Sequence, residues 1–409
     1  MSRKEYIAGL DIGTTKTCSV LAEVDPSAGS VDIIGVGLTP SDGLKKGVVV
    51  DLDATTEAVR TAVDKTQRMA GSIAIKSVVV GVTGEHISSL NSRGVVAITS
   101  PDHEVGLADV ERVVEASKVI VLPPEREIIH AIPRGFVVDG QDGVRDPVGM
   151  SGTRLEVETH IVTGSSAFLD NVVKCVHRAG LSVDATVLEP IATSEAVVMD
   201  AEKDLGVALV DIGGGTTDVA VFTSGEIYYT AVLPVGGNHV TNDIAVGLRA
   251  SQEEAERTKI ASGAACTEVV GEDETFEITS LGAEAPRELP RELLVNITEP
   301  RMQEILQLVR AEIAKSGYLE MLPGGVVLTG GASQMPGTVE LAQKILDLPV
   351  RLGLPRDVGG LSDTVASPIY STAVGLVLYA AKHQADLHEH EKTATLKRSI
   401  ANFFRRLFG

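Results

Sequence analysis

Asp211-Ile212-Gly213-Gly214-Gly215-Thr216-Thr217-Asp218 is the stretch that decides how this chain folds. Apolar runs at 207–210 and 219–222 flank it, so the pattern predicts a tight glycine turn between two strands. A P-loop or a dinucleotide-binding turn would instead need a helix directly after the glycines. The glycines let backbone N–H groups approach an anion, the threonines add hydroxyl donors, and the two aspartates can hold a hydrated cation. Taken alone, the stretch also fits a Gly-rich hairpin without a ligand.

A second copy of this turn lies near the N-terminus, at Asp11-Ile12-Gly13-Thr14-Thr15-Lys16-Thr17. In both copies a strand precedes the turn, a second strand follows it, and a third strand comes after a polar turn. The third strands are expected at 33–38 and 227–233. This repetition predicts two related domains, whose facing turns would hold a triphosphate from both sides.

Together with three further segments, the two turns resemble the phosphate loops of the actin, Hsp70 and sugar-kinase superfamily of ATP-binding proteins. Residues 189–196 are similar to its first connecting helix, 326–333 to its adenosine loop and 367–381 to its second connecting helix. The resemblance implies an α/β fold of the actin-like, ribonuclease H-like kind, with ATP and Mg²⁺ between two domains. It implies nucleotide contacts from Asp11, Gly13, Thr14, Thr15, Lys16, Gly213, Gly214, Gly215, Thr216, Thr217, Gly330, Gly331 and Ala332.

Further roles follow from the same resemblance. Asp11 and Asp211 would hold Mg²⁺ through water, with Asp211 at the catalytic centre, and Glu189 would orient the attacking water. Gly236, Gly237, Asn238, Glu256 and Lys259 resemble Hsp70-like stretches that contact phosphate, ribose and adenine. Two alternatives stay open. Glu189 is also favourable simply as an acidic residue at a helix N-terminus, and Glu256 with Lys259 is also a solvated i,i+3 pair.

Three shorter segments narrow the resemblance: 43–47, 82–84 and 129–133 are similar to the FtsA family of bacterial division proteins. The similarity covers essentially the whole chain. It implies an ATP-binding switch with at most slow hydrolysis, which polymerises on the cytoplasmic membrane, tethers the FtsZ ring there through the FtsZ C-terminal tail, and recruits later division proteins through an insert subdomain. His130 is expected to be structural, and Arg301 is the candidate contact for the FtsZ tail, with a solvated helix-terminal arginine as the alternative.

The predicted organisation has two discontinuous domains. The first core is 1–83 with 163–195 and 367–382, and the insert subdomain occupies 84–162. The second core is 196–237 with 320–366, and its outer subdomain is 238–319. Within these, strands are expected at 128–132 and 136–138, and a long helix at 299–316. A flexible linker at 383–395 then leads to an amphipathic helix at 396–409.

The predicted terminal helix carries an apolar stripe flanked by basic residues and has no acidic residue. This composition is typical of an interfacial membrane anchor, although docking on the protein's own core or on a partner is the alternative. The stripe and its flanks are Leu396, Lys397, Arg398, Ile400, Phe403, Phe404, Arg405, Arg406, Leu407 and Phe408.

Composition restricts the remaining possibilities. The formal net charge of −20 disfavours nucleic-acid binding, which depends on Lys and Arg neutralising phosphates. Cys18, Cys175 and Cys266 lie far apart without metal-ligand spacing, which indicates a reducing, cytoplasmic setting. No apolar run reaches the ~20 residues of a membrane span, and no signal peptide is recognisable. We therefore expect a cytoplasmic protein that is peripheral on the membrane at the division site.

Two other functions compete with this interpretation. One is that of PilM, an FtsA-like pilus-assembly protein that binds peptides and would lack the basic amphipathic end. The other is that of a metabolic kinase or phosphatase of the same superfamily, which would need a substrate pocket with a general base. Fold alone does not choose between these functions.

Overall fold

The computed structural model describes residues 4–25, 27–283 and 285–383. The predicted membrane helix at 396–409, and all of the predicted linker except His383, lie outside these residues. Among the helices that are described, none combines the length and apolar character needed to cross a membrane.

The first domain begins with a β-meander and carries the insert between two of its strands. Its elements are β1 Glu5–Ile12, β2 Lys16–Asp25, β3 Ser30–Pro40, β4 Leu44–Lys45, β5 Val48–Val49, α1 Leu52–Met69 and β6 Ser77–Val82. The insert follows as β7 Ser88–Ala97, α2 Leu107–Ser117, β8 Arg126–Val138, β9 Gln141–Val144 and β10 Arg154–Ser165. The chain returns to the first domain with α3 Ser166–Arg178, β11 Ser182–Leu188 and α4 Glu189–Val197.

The second domain repeats the meander and adds a helical outer part. Its elements are α5 Asp200–Leu205, β12 Val207–Ile212, β13 Thr217–Thr223, β14 Glu226–Leu233, α6 Gly237–Leu248, α7 Gln252–Ser262, β15 Thr275–Ile278, β16 Arg287–Pro290 and α8 Arg291–Lys315. They continue as β17 Val326–Thr329, α9 Thr338–Leu346, β18 Val350–Leu352, β19 Gly359–Gly360 and α10 Ser371–Lys382. Of these, β19 and α10 pack on the first domain, because β19 pairs with β3 and α10 lies against β1.

The predicted duplication is confirmed by the strand register. One sheet runs β11-β6-β1-β2-β3-β19 and the other runs β18-β17-β12-β13-β14. In the first, Asp11 pairs with Cys18 and Ile12 with Thr17; in the second, Asp211 pairs with Asp218 and the next residues pair likewise. A parallel strand, β6 or β17, lies beside the first strand of each meander. The two glycine turns therefore join equivalent strands.

Helices α4 and α10 connect the domains and cross at very short range. Gly375 lets α10 approach α4 so closely that a Cβ on Gly375 would lie 2.0 Å from the Ala192 carbonyl oxygen. On its other side α10 lies on β1, where a Cβ on Gly9 would lie 2.6 Å from the Ala373 carbonyl oxygen. The cores on both sides are built mainly from Val, Leu, Ile and Ala.

Two predicted element boundaries at prolines are wrong. Strand β8 runs unbroken through Pro133, where it pairs only with β10 and carries a bulge. The long helix begins at Arg291, eight residues before the predicted start, and continues through Pro300. The buried face of α8 continues from Thr298 to Met302, on the side of the helix opposite Pro300. Pro300 itself is exposed, as is Asn296, whose carbonyl loses its helical hydrogen bond to the proline.

The crossing of α4 and α10 gives the first prediction. Gly375→Ala should destabilise the protein by about 1–3 kcal/mol because the added Cβ overlaps α4. Helix propensity alone predicts the opposite sign. Thermal unfolding followed by circular dichroism measures the change. Ala381→Gly, at a partly buried position of the same helix, is the control and should cost only about 1 kcal/mol or less. A Gly375→Ala protein that melts above the parent would contradict the close packing.

Candidate functional site

The two glycine turns face each other across the boundary between the domains. A Cβ on Gly214 would lie 2.4 Å from Thr15 Cγ2, and one on Gly215 would lie 2.4 Å from Thr14 Oγ1. Each turn also has the same internal hydrogen bond: the Gly13 N–H donates to the Lys16 carbonyl at 2.9 Å, and the Gly213 N–H donates to the Thr216 carbonyl at 3.0 Å. The geometry requires glycine at 214 and 215 because the opposite turn occupies the space of a side chain.

Lys16 is the cation at the bottom of this cleft. Its Nζ lies 2.6 Å from Asp11 Oδ2, and the Asp11 side chain is almost fully buried. Burial opposes the charge of Lys16, but the carboxylates of Asp11 and Asp211 outweigh it and raise the pKa of the ammonium above its usual value. Lys16 is therefore charged at every physiological pH.

Asp211 accepts two hydrogen bonds from the connecting helices. Thr193 Oγ1 on α4 and Thr372 Oγ1 on α10 donate to its Oδ2 at 3.4 and 3.2 Å. Burial, together with the nearby charge of Asp11, raises the pKa of Asp211 to about 6, although Lys16 and the two hydroxyls oppose this shift. Gly330, at a φ of +85°, lies so close that a Cβ there would be 2.2 Å from Asp211 Oδ1.

Two more buried carboxyl groups complete the cluster. Asp218 accepts a hydrogen bond from Thr83, which follows β6 in the first domain. Burial and the charge of Asp211 raise the pKa of Asp218 to about 7, against the effect of the Thr83 hydroxyl. Burial, followed by the charges of Asp11, Asp218 and Asp211, raises the pKa of Glu189 well above its ordinary value.

A second group of predicted residues lies beside the Gly213–Gly215 turn. The Gly237 and Asn238 N–H groups donate to the carbonyls of Gly213 and Gly214 at 2.9 and 2.8 Å. Lys259 Nζ lies 3.2 Å from the Gly237 carbonyl oxygen and 2.7 Å from Glu256 Oε2. A Cβ on Gly237 would be 3.3 Å from the Ala332 Cβ, so the predicted adenosine loop also reaches this region. The Glu256–Lys259 pair does exist, but it faces the turn and not only solvent.

The cleft between the turns is narrow. The space enclosed by its lining residues is about 50 Å³, whereas small-molecule pockets span roughly 300–1,000 Å³. A triphosphate therefore requires the turns to move apart. Its walls are Asp11, Gly13, Thr14, Thr15, Lys16, Thr83, Glu189, Asp211, Gly213, Gly214, Gly215, Thr216, Asp218, Gly330, Gly331, Pro368, Ile369 and Thr372.

Most predicted phosphate-side residues come together in this cleft, and the structure adds three hydroxyl residues that the sequence did not single out. Thr83, Thr193 and Thr372 hydrogen-bond the buried aspartates. All three lie in segments that the resemblance recognises, 82–84, 189–196 and 367–381, but nothing in those patterns singles out their hydroxyls. Thr217 lies inside β13 and donates to the Val235 carbonyl, so its hydroxyl supports the turn from behind. For Asp218 the sequence predicts only a possible cation ligand within the turn itself.

Arg301 is not among the residues that line the cleft; it lies in the part of α8 beyond Pro300. Its Nε donates to Asp243 Oδ2 at 2.6 Å and its Nη2 to Asp243 Oδ1 at 3.2 Å, while Nη1 pairs with Glu304. The guanidinium is thus held by carboxylates of its own chain, and contact with a partner stays a prediction. Across residues 4–25, 27–283 and 285–383, no group of three or more His, Cys, Asp or Glu side chains is arranged to hold a metal ion by itself.

Comparisons with known proteins agree on one family. The family profile described as cell division protein FtsA matches residues 208–375, and that of the SHS2 domain inserted in FtsA matches residues 84–163. Cell division protein FtsA of Pseudomonas aeruginosa is 48% identical over 382 residues, which are 93% of this chain and 91% of that protein.

Solved structures with the same fold are more distant in sequence. The PilM–PilN type IV pilus biogenesis complex contains a chain with a TM-score of 0.67 and 18% identity, covering 92% of this chain and 98% of that one. MreB5 of Spiroplasma citri bound to ADP gives 0.56 at 14% identity, over 94% of this chain and 98% of that one. These similarities confirm the predicted actin-like fold, and at such identities they show the fold alone.

The buried carboxylates give the second prediction. The pKa of Asp211 is raised on folding, so its contribution to stability is present below about pH 4 and is lost as the pH rises through about 6. Without nucleotide, Asp211→Asn should therefore stabilise the protein at pH 8, by up to about 3 kcal/mol for a shift of about two pKa units, and much less at pH 4. Thermal unfolding at both pH values measures this. Asp363→Asn, at an exposed position, is the control; equal effects of the two substitutions would contradict the assignment.

Proposed function

This chain belongs to the FtsA family of cell division proteins, and from that membership we propose that it is an ATP-binding, polymer-forming protein that attaches the FtsZ ring to the cytoplasmic membrane. The observation that carries the nucleotide part is the pair of equivalent glycine turns, which face each other across two domains around Lys16 and four buried carboxyl groups. Such a cleft is suited to a polyanion accompanied by a cation.

The chain's own residues define how ATP would be held. Lys16 would neutralise phosphate charge, and N–H groups of the two turns would donate to phosphate oxygens. Gly237, Lys259 and Ala332 would contact the adenosine. Mg²⁺, when bound, supplies positive charge that offsets both the phosphates and the carboxylates. Asp11 and Asp211 are the groups that hold it through water. Their burial fits this role, because burial and, after it, the charge of Asp11 raise the pKa of Asp211, and a bound cation would offset both effects.

Nucleotide occupancy would act as a switch because the cleft is too narrow in its present form. Separating the turns moves the two domains relative to each other, and α4 and α10 link them at Asp211. A ligand that favours one interdomain angle thereby favours one set of filament contacts.

Hydrolysis is proposed to be slow at most. The resemblance implies a switch rather than a fast hydrolase, with Glu189 orienting the water; burial, followed by the charges of Asp11, Asp218 and Asp211, raises the pKa of this carboxyl group. Asp218 and Thr83 lie in the same cleft and hold its geometry across the domain boundary. The nucleotide therefore works mainly through being bound.

Attachment to the membrane is proposed to depend on residues 396–409. The linker of 13 residues, 383–395, gives a reach of about 20 Å, which exceeds the Debye length of about 8 Å at physiological salt. The acidic domains can thus stay beyond the range of electrostatic repulsion from an anionic membrane surface. Each tail should bind reversibly, and a polymer presenting many tails should bind firmly through effective concentration. The FtsZ tail is proposed to contact the outer subdomain near Arg301, and later division proteins the insert.

The magnesium assignment gives the third prediction. Asp211→Asn should lower the affinity for a fluorescent ATP analogue in Mg²⁺ by about tenfold or more, the cost of losing one charge-assisted contact. In EDTA the variant should bind as well as the parent or more tightly, because without the cation the Asp211 carboxylate repels the phosphates. Filament formation should fall with nucleotide affinity. Asp363→Asn is the control, and unchanged affinity and magnesium dependence in Asp211→Asn would refute the role.

The membrane assignment gives the fourth prediction. Full-length protein should pellet with anionic liposomes, more strongly with ATP, whereas a chain ending at Thr395 should stay in the supernatant. A peptide from the FtsZ tail should co-pellet with the full-length protein only, and less with Arg301→Ala. Neutral liposomes are the control for the charge contribution. Equal pelleting of the two chains would remove the anchor from the proposal.

A further inference from the structure

A second, larger cavity lies between the insert and the second domain. Its volume is about 610 Å³, and it is partly open to solvent. The insert supplies residues of β7, β8 and β10 to its wall, and the second domain supplies β14 and the end of α8. The charged and ring-bearing side chains of this wall include Arg134, Glu158, His160, Tyr228 and Lys315. The proposed nucleotide mechanism uses none of them.

Arg134 is delivered into this wall by the irregularity in β8. Glu158 pairs with Gly135 and Thr159 pairs with Pro133, so Arg134 is the extra residue of a β-bulge. Gly135 has a φ of +150°, a conformation that favours glycine. Bulges bend a strand and redirect a side chain, and they are frequent beside functional sites. The irregular pairing at residues 133–135 therefore positions the Arg134 guanidinium in the cavity wall.

The Arg134 guanidinium is buried without its full set of hydrogen bonds. The residue is 6% exposed, and neither Nε nor Nη1 has a hydrogen-bond partner among the described residues. Its Cζ lies 3.4 Å from the centroid of the Tyr228 ring, so its face is covered by a cation–π contact. The carboxylate of Glu158 is 3.6 Å from Nη1, which is an ion pair but too long for a hydrogen bond. A buried charged donor without hydrogen-bond partners lowers the stability of the folded protein.

The other charged groups around the cavity leave Arg134 as its one buried cationic group in the described residues. Lys315 Nζ is paired with Glu312 at 2.6 Å. His160 bonds Asn91 Oδ1 at 2.8 Å and Thr230 Oγ1 at 3.0 Å, and burial followed by the charge of Arg134 lowers its pKa to about 4, so it is neutral. Glu226 also lies near Arg134: its Oε2 is 3.9 Å from the position of a Cβ on Gly135, and burial raises its pKa to about 7 against the charge of Arg134. With Glu158 and Glu226 both present, the surroundings accommodate one further negative charge better than two.

We propose that this cavity binds a monocarboxylate, which takes the place of the Glu158 side chain against the Arg134 guanidinium. Arginine matches a carboxylate in shape and charge, and a monoanion balances it without the surplus charge of a phosphate. The Glu158 side chain can be displaced, because it is 54% exposed and makes no hydrogen bond to Arg134. Because the insert and the second domain share the wall of this cavity, the bound carboxylate would lie between them.

A single tryptophan tests the site directly. The chain contains no Trp, so Leu90→Trp, at an exposed position in the cavity wall, gives a fluorescence signal from this place alone. The full-length chain with this reporter is titrated with acetate, benzoate and inorganic phosphate, each at constant ionic strength made up with chloride. The titrations are repeated with Arg134→Met, with Glu158→Gln, and with Arg93→Met as the matched control on the exposed face of the insert.

Acetate and benzoate should give saturable changes with dissociation constants of about 1 mM, tighter than phosphate. Arg134→Met should abolish saturation and Arg93→Met should leave it unchanged. Glu158→Gln should tighten binding roughly two- to fivefold, as removal of a competing half-exposed charge predicts. These opposite effects distinguish a binding site from a structural arginine, even if Arg134→Met folds poorly. A response that is absent, independent of Arg134, weakened by Glu158→Gln, or stronger for phosphate overturns the proposal.

Discussion

The structure depends on one electrostatic constraint: Asp11, Asp211, Asp218 and Glu189 are buried around a single lysine, Lys16. Burial in a low dielectric, followed by repulsion between the like charges, raises the pKa values of three of these carboxyl groups. The fold accepts this cost where two domains meet, and holds Asp211 and Asp218 with hydroxyls from three separate segments. Because the buried carboxylates destabilise the cleft when no ligand is bound, a ligand that brings a cation would stabilise the protein most.

Much of the fold could be predicted because its decisive signals are local. An Asp-Ile-Gly turn between apolar runs specifies a hairpin from a few neighbouring residues, and its recurrence specifies the duplication. The hydroxyls of Thr83, Thr193 and Thr372 could not be found in this way. Threonine is common, and only the packing of α4 and α10 against the second meander brings Thr193 and Thr372 to the aspartate.

The two wrong boundaries have a common physical cause. Proline lacks an N–H group, so the local pattern predicts that a strand ends before Pro133 and that a helix begins only at 299, one residue before Pro300. In the structure both prolines lie where the missing N–H donor is tolerated. Pro133 lies where β8 has a partner on one side only, and Pro300 lies on the exposed face of a helix fixed by its buried stripe. Long-range pairing and packing, which the local pattern does not contain, decide such cases. The bulge that accompanies Pro133 is also what directs Arg134 into the second cavity.

Helix α10 links the end of the described chain to the cleft. This helix enters with Thr372, which holds Asp211, and leaves at His383, whose ring stacks on Tyr379 at 4.2 Å. It lies against β1 on one side and α4 on the other, without space for an extra methyl group at Gly375. A force applied along α10 from its His383 end would therefore act on the helix that also holds Thr372 against Asp211.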